Sequence, residues 1–299
     1  MNELSNIRIA QPALFSFPEC LWYLDRGFDD CLHEVRDGKL RKLLRINGEK
    51  VLLELSETNR WIDIQVLVGK LSDWQFVEEY VKDWFDLARD LQPFDALLRE
   101  DIDFKTLANT YSGLRLVGIP DLFEALCWAV IGQQINLTFA YKLKRRLVEN
   151  HGDSLVYAGK SYYLFPEPAV VSRILIEDLK AFQFSTKKAE YLTGIAALFE
   201  QGNISKAQLA VLPTHVQQVQ ALTAIRGVGE WSAEYVLMKS LKAMQSIPFG
   251  DAGLNNALFQ LKAIPKKNNR AEVETVFKPF AGWEAYLAFY LWRVLSEKQ

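Results

Sequence analysis

Residues 222–258 read LTAIRGVGEWSAEYVLMKSLKAMQSIPFGDAGLNNAL, and the rest of the 299-residue chain is organised around them. Arg226-Gly227-Val228-Gly229 interrupts two amphipathic stretches. Two glycines one residue apart permit backbone conformations that side chains forbid, and can turn a row of N–H groups outward. Ahead of a helix, such a turn can bind a phosphate. From Glu230 to Met244 the apolar residues Trp231, Tyr235, Met238, Leu241 and Met244 recur at helical spacing, which predicts a helix leaving the turn directly. Val216 to Ile225 also reads as helix, so the turn is a hairpin between helices. A dinucleotide-binding glycine turn would follow a strand instead.

Downstream, Pro248-Phe249-Gly250-Asp251 breaks the chain, and Ala252 to Lys262 resumes a helical pattern with Leu254, Ala257, Leu258 and Leu261 on one side. Asp251 therefore stands at the N-cap. Taken alone it reads as a capping residue, a role worth about 1 kcal/mol. A helix N-terminus also favours negative charge, and a carboxylate held there can activate water or face a developing cation.

Composition narrows the function classes. About 150 residues per domain is usual, so 299 residues suggest two or three domains. With 49% hydrophobic and 24% charged residues this is the balance of a soluble protein, and no apolar run approaches the ~20 residues of a membrane span. The N-terminal MNELSNIRIAQPALF lacks a basic region followed by an apolar core, so a cytoplasmic protein is expected. Cys20, Cys31 and Cys127 have no paired spacing and cannot supply a four-cysteine iron–sulfur cluster. His33, His151 and His215 are isolated, which argues against zinc. The net charge of −2 argues against a broad basic DNA-binding surface but leaves room for a local site. Lys142, Lys144, Arg145 and Arg146 could add attraction; alone they read as a solvated helix face.

In chain order, short apolar segments alternate with turns from Ile7 to about Val68: Leu14-Phe17, Leu21-Leu24, Leu43-Ile46, Val51-Leu55 and Trp61-Val68. Asp37-Gly38 and Asn47-Gly48 are hairpin dipeptides. This predicts an antiparallel sheet, with a helix over Asp73–Leu87, and makes residues 1–92 an α+β domain. Beyond Leu91-Gln92-Pro93 the pattern over 93–299 is helical, as one or two subdomains, apart from a short hairpin near Val156–Leu164. Helices are expected over 121–150 with a break near Gly132, then 169–180, 186–201, 205–212, 272–277 and 283–296. Gly159-Lys160-Ser161 lacks the earlier glycine of a phosphate loop and is set aside.

A glycine-rich hairpin, a helix and an aspartate about twenty residues on resemble the helix-hairpin-helix DNA glycosylases, here as Leu222-x-x-Ile225-x-Gly227-Val228-Gly229 and Asp251. Gly113-Leu114-Arg115-Leu116, Phe123-Glu124-Ala125 and Ala129-Val130-Ile131-Gly132-Gln133-Gln134 are similar to the DNA-3-methyladenine glycosylase II branch. That branch also carries an N-terminal antiparallel α+β domain. Bifunctional members place a lysine two residues after the last hairpin glycine. Here Trp231 stands there, and Lys239 lies two helical turns beyond. The resemblance therefore implies a monofunctional glycosylase, in which water takes the sugar.

The resemblance further implies that Asp251 is catalytic and that Trp231, Tyr235 and Trp292 line a base pocket. Alkylation of a purine ring nitrogen leaves the base cationic and suits electron-rich ring faces. Arg226, Gly227, Val228 and Gly229 would hold the DNA backbone. Main-chain oxygens of Ala224, Ile225, Gly227 and Gly229 would hold a structural monovalent cation, and no cofactor is required. Gln134 stands where relatives carry an apolar wedge, and Ala252 where some carry a larger aromatic. The partner implied is double-stranded DNA containing damaged bases, and a monomer is expected. Three alternatives stay open: a glycosylase for deaminated or oxidised bases, a helix-hairpin-helix DNA-binding protein without chemistry, and a nucleotide-cofactor enzyme.

Overall fold

The computed structural model describes residues 6–267 and 269–295. The first five residues of the N-terminal stretch, and Ser296 at the end of the last expected helix, lie outside the described residues. The chain divides into two compact units, each drawing on separated segments.

The first unit combines the segment ending at Gln11 with Leu24–Lys82 and Leu126–Ser205. Its sheet is antiparallel, in the order β1-β5-β4-β3-β2, from β1 (Asn6–Ala10), β2 (His33–Arg36), β3 (Lys39–Ile46), β4 (Glu49–Thr58) and β5 (Trp61–Val68). Both hairpin dipeptides make the expected turns: Asp37 and Gly38 have φ of 52° and 72°, Asn47 and Gly48 of 50° and 85°. Positive φ at both central residues gives the turn a twist that matches the strands it joins. On β4, Val51 to Leu55 are buried without alternation, so both faces of this central strand are covered. Part of that cover is a second hairpin, Ser154–Tyr157 with Lys160–Tyr163, whose Tyr162 packs with Leu43 and Leu52. Gly159, set aside as a phosphate loop, is a residue of this hairpin turn with φ 77°. The helix Leu137–His151 belongs to the same unit, capped by Asn136.

The second unit combines Pro12–Tyr23, Asp83–Ala125 and the chain from Lys206 onward. Its core is the helix Glu284–Val294, buried at every position from Ala285 to Leu291. Arg115, 1% exposed, donates to the carbonyls of Leu14 (2.8 Å), Asp86 (3.1 Å) and Arg89 (2.6 Å) and so ties the first two segments of this unit together.

Several expectations are corrected. Leu14-Phe17 and Leu21-Leu24 are not strands: Phe17–Leu24 is a helix that buries Phe17, Cys20 and Leu21 on one face. The helix expected over Glu230–Met244 is regular only to Val236; Leu237–Leu241 forms a π-helical turn, ended by Lys242 at φ 54°. That turn frees the Lys239 carbonyl to accept the Ile119 N–H (2.8 Å), a tertiary bond that helical spacing does not reveal. Residues 169–180 hold two short helices, Pro168–Val171 and Ile176–Ala181, separated by the extended backbone of Leu175. The cationic cluster is not a solvated face: Lys144 is buried against Asp30, Arg145 pairs with Asp29 and Glu149, and Arg146 bonds the Phe182 carbonyl. Of the four, Lys142 is exposed.

Candidate active site

The hairpin follows the helix His215–Thr223 and precedes the helix Glu230–Val236. Leu222, Ile225 and Val228 are buried and anchor it, while Arg226 and Gly229 are exposed. Gly227 has φ 94°, a conformation costly for any side-chain-bearing residue. Gly229 is the N-cap and has no side chain with which to cap the first N–H groups of the helix. The two helices are joined by His215, whose Nε2 lies 2.9 Å from the buried Glu234 carboxylate.

Asp251 caps the helix Ala252–Gln260, its Oδ1 accepting the Leu254 N–H at 2.8 Å. Capping is not its only engagement. The same Oδ1 accepts the indole N–H of Trp292 (2.9 Å), and Oδ2 accepts that of Trp231 (3.2 Å). An ionised carboxylate has about four lone-pair positions; three are engaged here, and the one left is on Oδ2. Buried Asn255 bonds the Asp251 carbonyl at 2.8 Å and fixes the backbone beneath. Trp231 and Tyr235 stack with centroids 5.5 Å apart and planes 25° from parallel, and Trp292 lies 6.1 Å beyond Tyr235. The structure therefore gathers Trp231, Tyr235 and Trp292 into one cluster, and the two indole nitrogens end on the Asp251 carboxylate. Gln134 belongs to the first unit, exposed and at φ 57°.

Lys239 is fully buried. Its Nζ donates to the Val117 carbonyl and lies 3.9 Å from the Tyr23 ring centroid and 4.8 Å from that of Phe289. Three participants escape sequence reasoning. Both indole bonds to Asp251 depend on tertiary folding. Arg270 lies over the Phe249 ring at 4.1 Å and pairs with Glu230, linking the aspartate loop to the helix after the hairpin. Gly253 lies beside the Asp251–Trp292 contact; a glycine inside a predicted helix was the available signal. Among the described residues, no group of three or more His, Cys, Asp or Glu could hold a metal ion, and no helix is long and apolar enough to cross a membrane.

The family model described as HhH-GPD superfamily base excision DNA repair protein matches residues 127–281. The chain belongs to this superfamily. A model for the 8-oxoguanine DNA glycosylase N-terminal domain matches residues 31–126. The DNA-3-methyladenine glycosylase of Bacillus subtilis is 38% identical over 297 residues, covering 97% of each chain. Among solved structures, the 3-methyladenine DNA-glycosylase from Archaeoglobus fulgidus superposes with a TM-score of 0.83 at 21% identity, covering 98% of this chain and 99% of that one. An 8-oxoguanine glycosylase/lyase from Clostridium acetobutylicum, in complex with double-stranded DNA, gives 0.70 at 18% identity, covering 90% of this chain and 99% of that one. At these identities the two structures establish the shared fold, an N-terminal antiparallel sheet followed by a helix-hairpin-helix region.

Proposed function

We propose that this chain is a monofunctional DNA glycosylase of base excision repair, releasing alkylated purines such as 3-methyladenine from double-stranded DNA. One observation carries the reading: the Asp251 carboxylate is held by two indole N–H groups at the edge of a three-ring cluster. The damaged nucleotide leaves the stack, as it must for its glycosidic bond to be reached. Its cationic ring lies against the electron-rich faces of Trp231, Tyr235 and Trp292.

The bond from C1′ to the base nitrogen then breaks, and its electron pair neutralises the departing base. Positive charge passes to the deoxyribose, where the open lone pair of Asp251 Oδ2 faces it or orients water. Water supplies hydroxyl to C1′ and its proton leaves to the carboxylate or to solvent. No amine takes part, because Trp231 holds the lysine position and Lys239 is buried between two rings.

The hairpin Arg226-Gly227-Val228-Gly229 binds a backbone phosphate; the Val228 N–H is not part of that hold, because it donates to the Ile225 carbonyl. A monovalent cation would be held here by main-chain oxygens; those of Ile225 and Gly229 each accept one N–H, from Val228 and Ala233, and a carbonyl oxygen has a second lone pair to offer. The Ala224 and Gly227 oxygens would complete the site. Gln134, held in a left-handed conformation that costs a non-glycine residue about 1 kcal/mol or more, fills the gap left in the duplex. The enzyme acts as a monomer in the cytoplasm. The match of residues 31–126 to an 8-oxoguanine glycosylase domain does not favour oxidised bases, since that segment contains none of Trp231, Tyr235, Asp251 or Trp292.

The test is release of free base from methylated duplex DNA by wild type and by Asp251→Asn, with strand cleavage followed separately. Wild type should release 3-methyladenine without cutting the strand, and the variant should bind DNA but lose about a hundredfold or more in rate. Well-folded wild type that frees no base from methylated, deaminated or oxidised DNA would leave the hairpin a binding device only.

A further inference from the structure

Gly253 is the second residue of the helix Ala252–Gln260, a place where glycine is among the poorest helix formers. Its backbone does not require glycine, because it lies outside the left-handed region. The requirement comes from outside the helix. A methyl group on Gly253 would stand 3.0 Å from Oδ1 of Asp251, 3.3 Å from Cδ1 of Trp292 and 3.5 Å from its Nε1. Carbon is comfortable at about 3.5–4.0 Å, so one of the two partners must yield. Oδ1 is pinned by the Leu254 N–H at 2.8 Å as part of the helix cap. The indole is the partner that gives, by a few tenths of an ångström, and its 2.9 Å bond to Oδ1 is the contact that is stretched and bent.

We propose that Gly253 is a positioning residue for base release. Its missing side chain is the seat of the Trp292 indole, and through that indole it fixes the direction of the Asp251 carboxylate. The inference rests on the glycosylase reading for its effect on rate, and on geometry alone for its effect on the indole.

The experiment is a cycle of Gly253→Ala, Trp292→Phe and the double variant, each checked by thermal unfolding. The helix gain from alanine, about 1 kcal/mol at most, and the strained indole contact oppose each other, so Gly253→Ala should stay folded and unfold within a few degrees of wild type. Its single-turnover release of 3-methyladenine from methylated duplex DNA should fall about three- to tenfold, the upper figure being the expected cost of losing a hydrogen bond to a charged group altogether. The Kd for the same DNA should stay within about twofold, because the effect is on orientation rather than on uniform binding. On the Trp292→Phe background there is no N–H to displace, and adding Gly253→Ala should cost less than about twofold more. An equal penalty in both backgrounds, or none in either, overturns the assignment. So does a wild-type rate in Trp292→Phe, whatever the stability of the glycine variant.

A second readout needs no catalysis. The Trp292 indole N–H signal, identified as the one missing from isotope-labelled Trp292→Phe, should exchange with solvent about tenfold faster in Gly253→Ala. Unchanged exchange in the folded variant overturns the proposal. If wild type releases no base, the glycosylase reading fails while this exchange measurement still decides the role of Gly253.

Discussion

Nε1 of Trp231 donates to Oδ2 of Asp251 over 3.2 Å, from a residue 20 positions earlier in the chain. The position that carries an amine nucleophile in bifunctional glycosylases thus carries a donor that orients the carboxylate instead. Trp231→Phe keeps the ring and removes only the N–H. A hydrogen bond to a charged group contributes about 1.5–3 kcal/mol, and a bond of this length belongs at the lower end. Single-turnover base release should fall about tenfold with DNA affinity little changed. A rate within about twofold of wild type would show that Trp292 and the Leu254 N–H hold Asp251 without it.

Lys239 makes an opposite pair of predictions. Sealed between Tyr23 and Phe289, its ammonium cannot reach a sugar, so borohydride treatment of the protein on damaged DNA should trap no covalent adduct. A trapped adduct that disappears in Lys239→Met would overturn the monofunctional reading. Lys239→Ala removes a desolvated cation–π contact and a bond to the Val117 carbonyl, and leaves a void. Denaturant unfolding should show a loss of about 3–5 kcal/mol.

Arg115 has a structural reason for its place in Gly113-Leu114-Arg115-Leu116. Its guanidinium is the donor to three carbonyls from two separate segments of the second unit. Arg115→Met fills much of the volume and strands those acceptors, which should cost about 3–5 kcal/mol of stability. The chemistry should survive wherever the variant is folded. Equal losses of stability and of single-turnover rate well below the melting temperature would contradict a purely structural role.

Acid stability should depend on the first unit. Burial lowers the His33 imidazole, against the pull of Asp30, and burial also lowers His151. The unfolded chain therefore takes up protons at higher pH than the folded one, and stability is lost as pH falls below about 6.5. Burial raises the Asp30 carboxyl, but Lys144, His33 and the Leu32 N–H outweigh it and hold it well below the usual carboxylate range. Its contribution is present above about pH 4 and is lost as pH falls below that value. Urea unfolding at pH 8, 6, 5, 4, 3 and 2 checks both windows. His33→Gln should flatten the fall between about pH 6.5 and 5 and leave the share due to His151. Parallel curves for wild type and variant would rule His33 out.

The sequence by itself determined the features that depend on local chemistry. Asp37-Gly38 and Asn47-Gly48 could only be turns, because few other residues accept positive φ at both central positions. Gly227 marked the hairpin because it accepts positive φ, and Asp251 before an apolar helical period could be recognised as the cap of its helix. The spacing of Phe17, Cys20 and Leu21 was equally local, but short apolar runs fit either period, and there the strand expectation failed.

Tertiary structure decided what no spacing carries. Helical periodicity continues through Leu241 and Met244, yet the chain leaves the regular helix after Val236 because the Lys239 carbonyl gains a partner at Ile119. Trp231 and Trp292 read as pocket walls; that both indole nitrogens also end on Asp251 follows from three elements meeting, two of them 41 residues apart. Gly253 gains its meaning only from the Trp292 indole that packs where its side chain would be. Backbone preference is a property of a residue and its neighbours in sequence, whereas the direction of a carboxylate is set by whatever the fold packs against it.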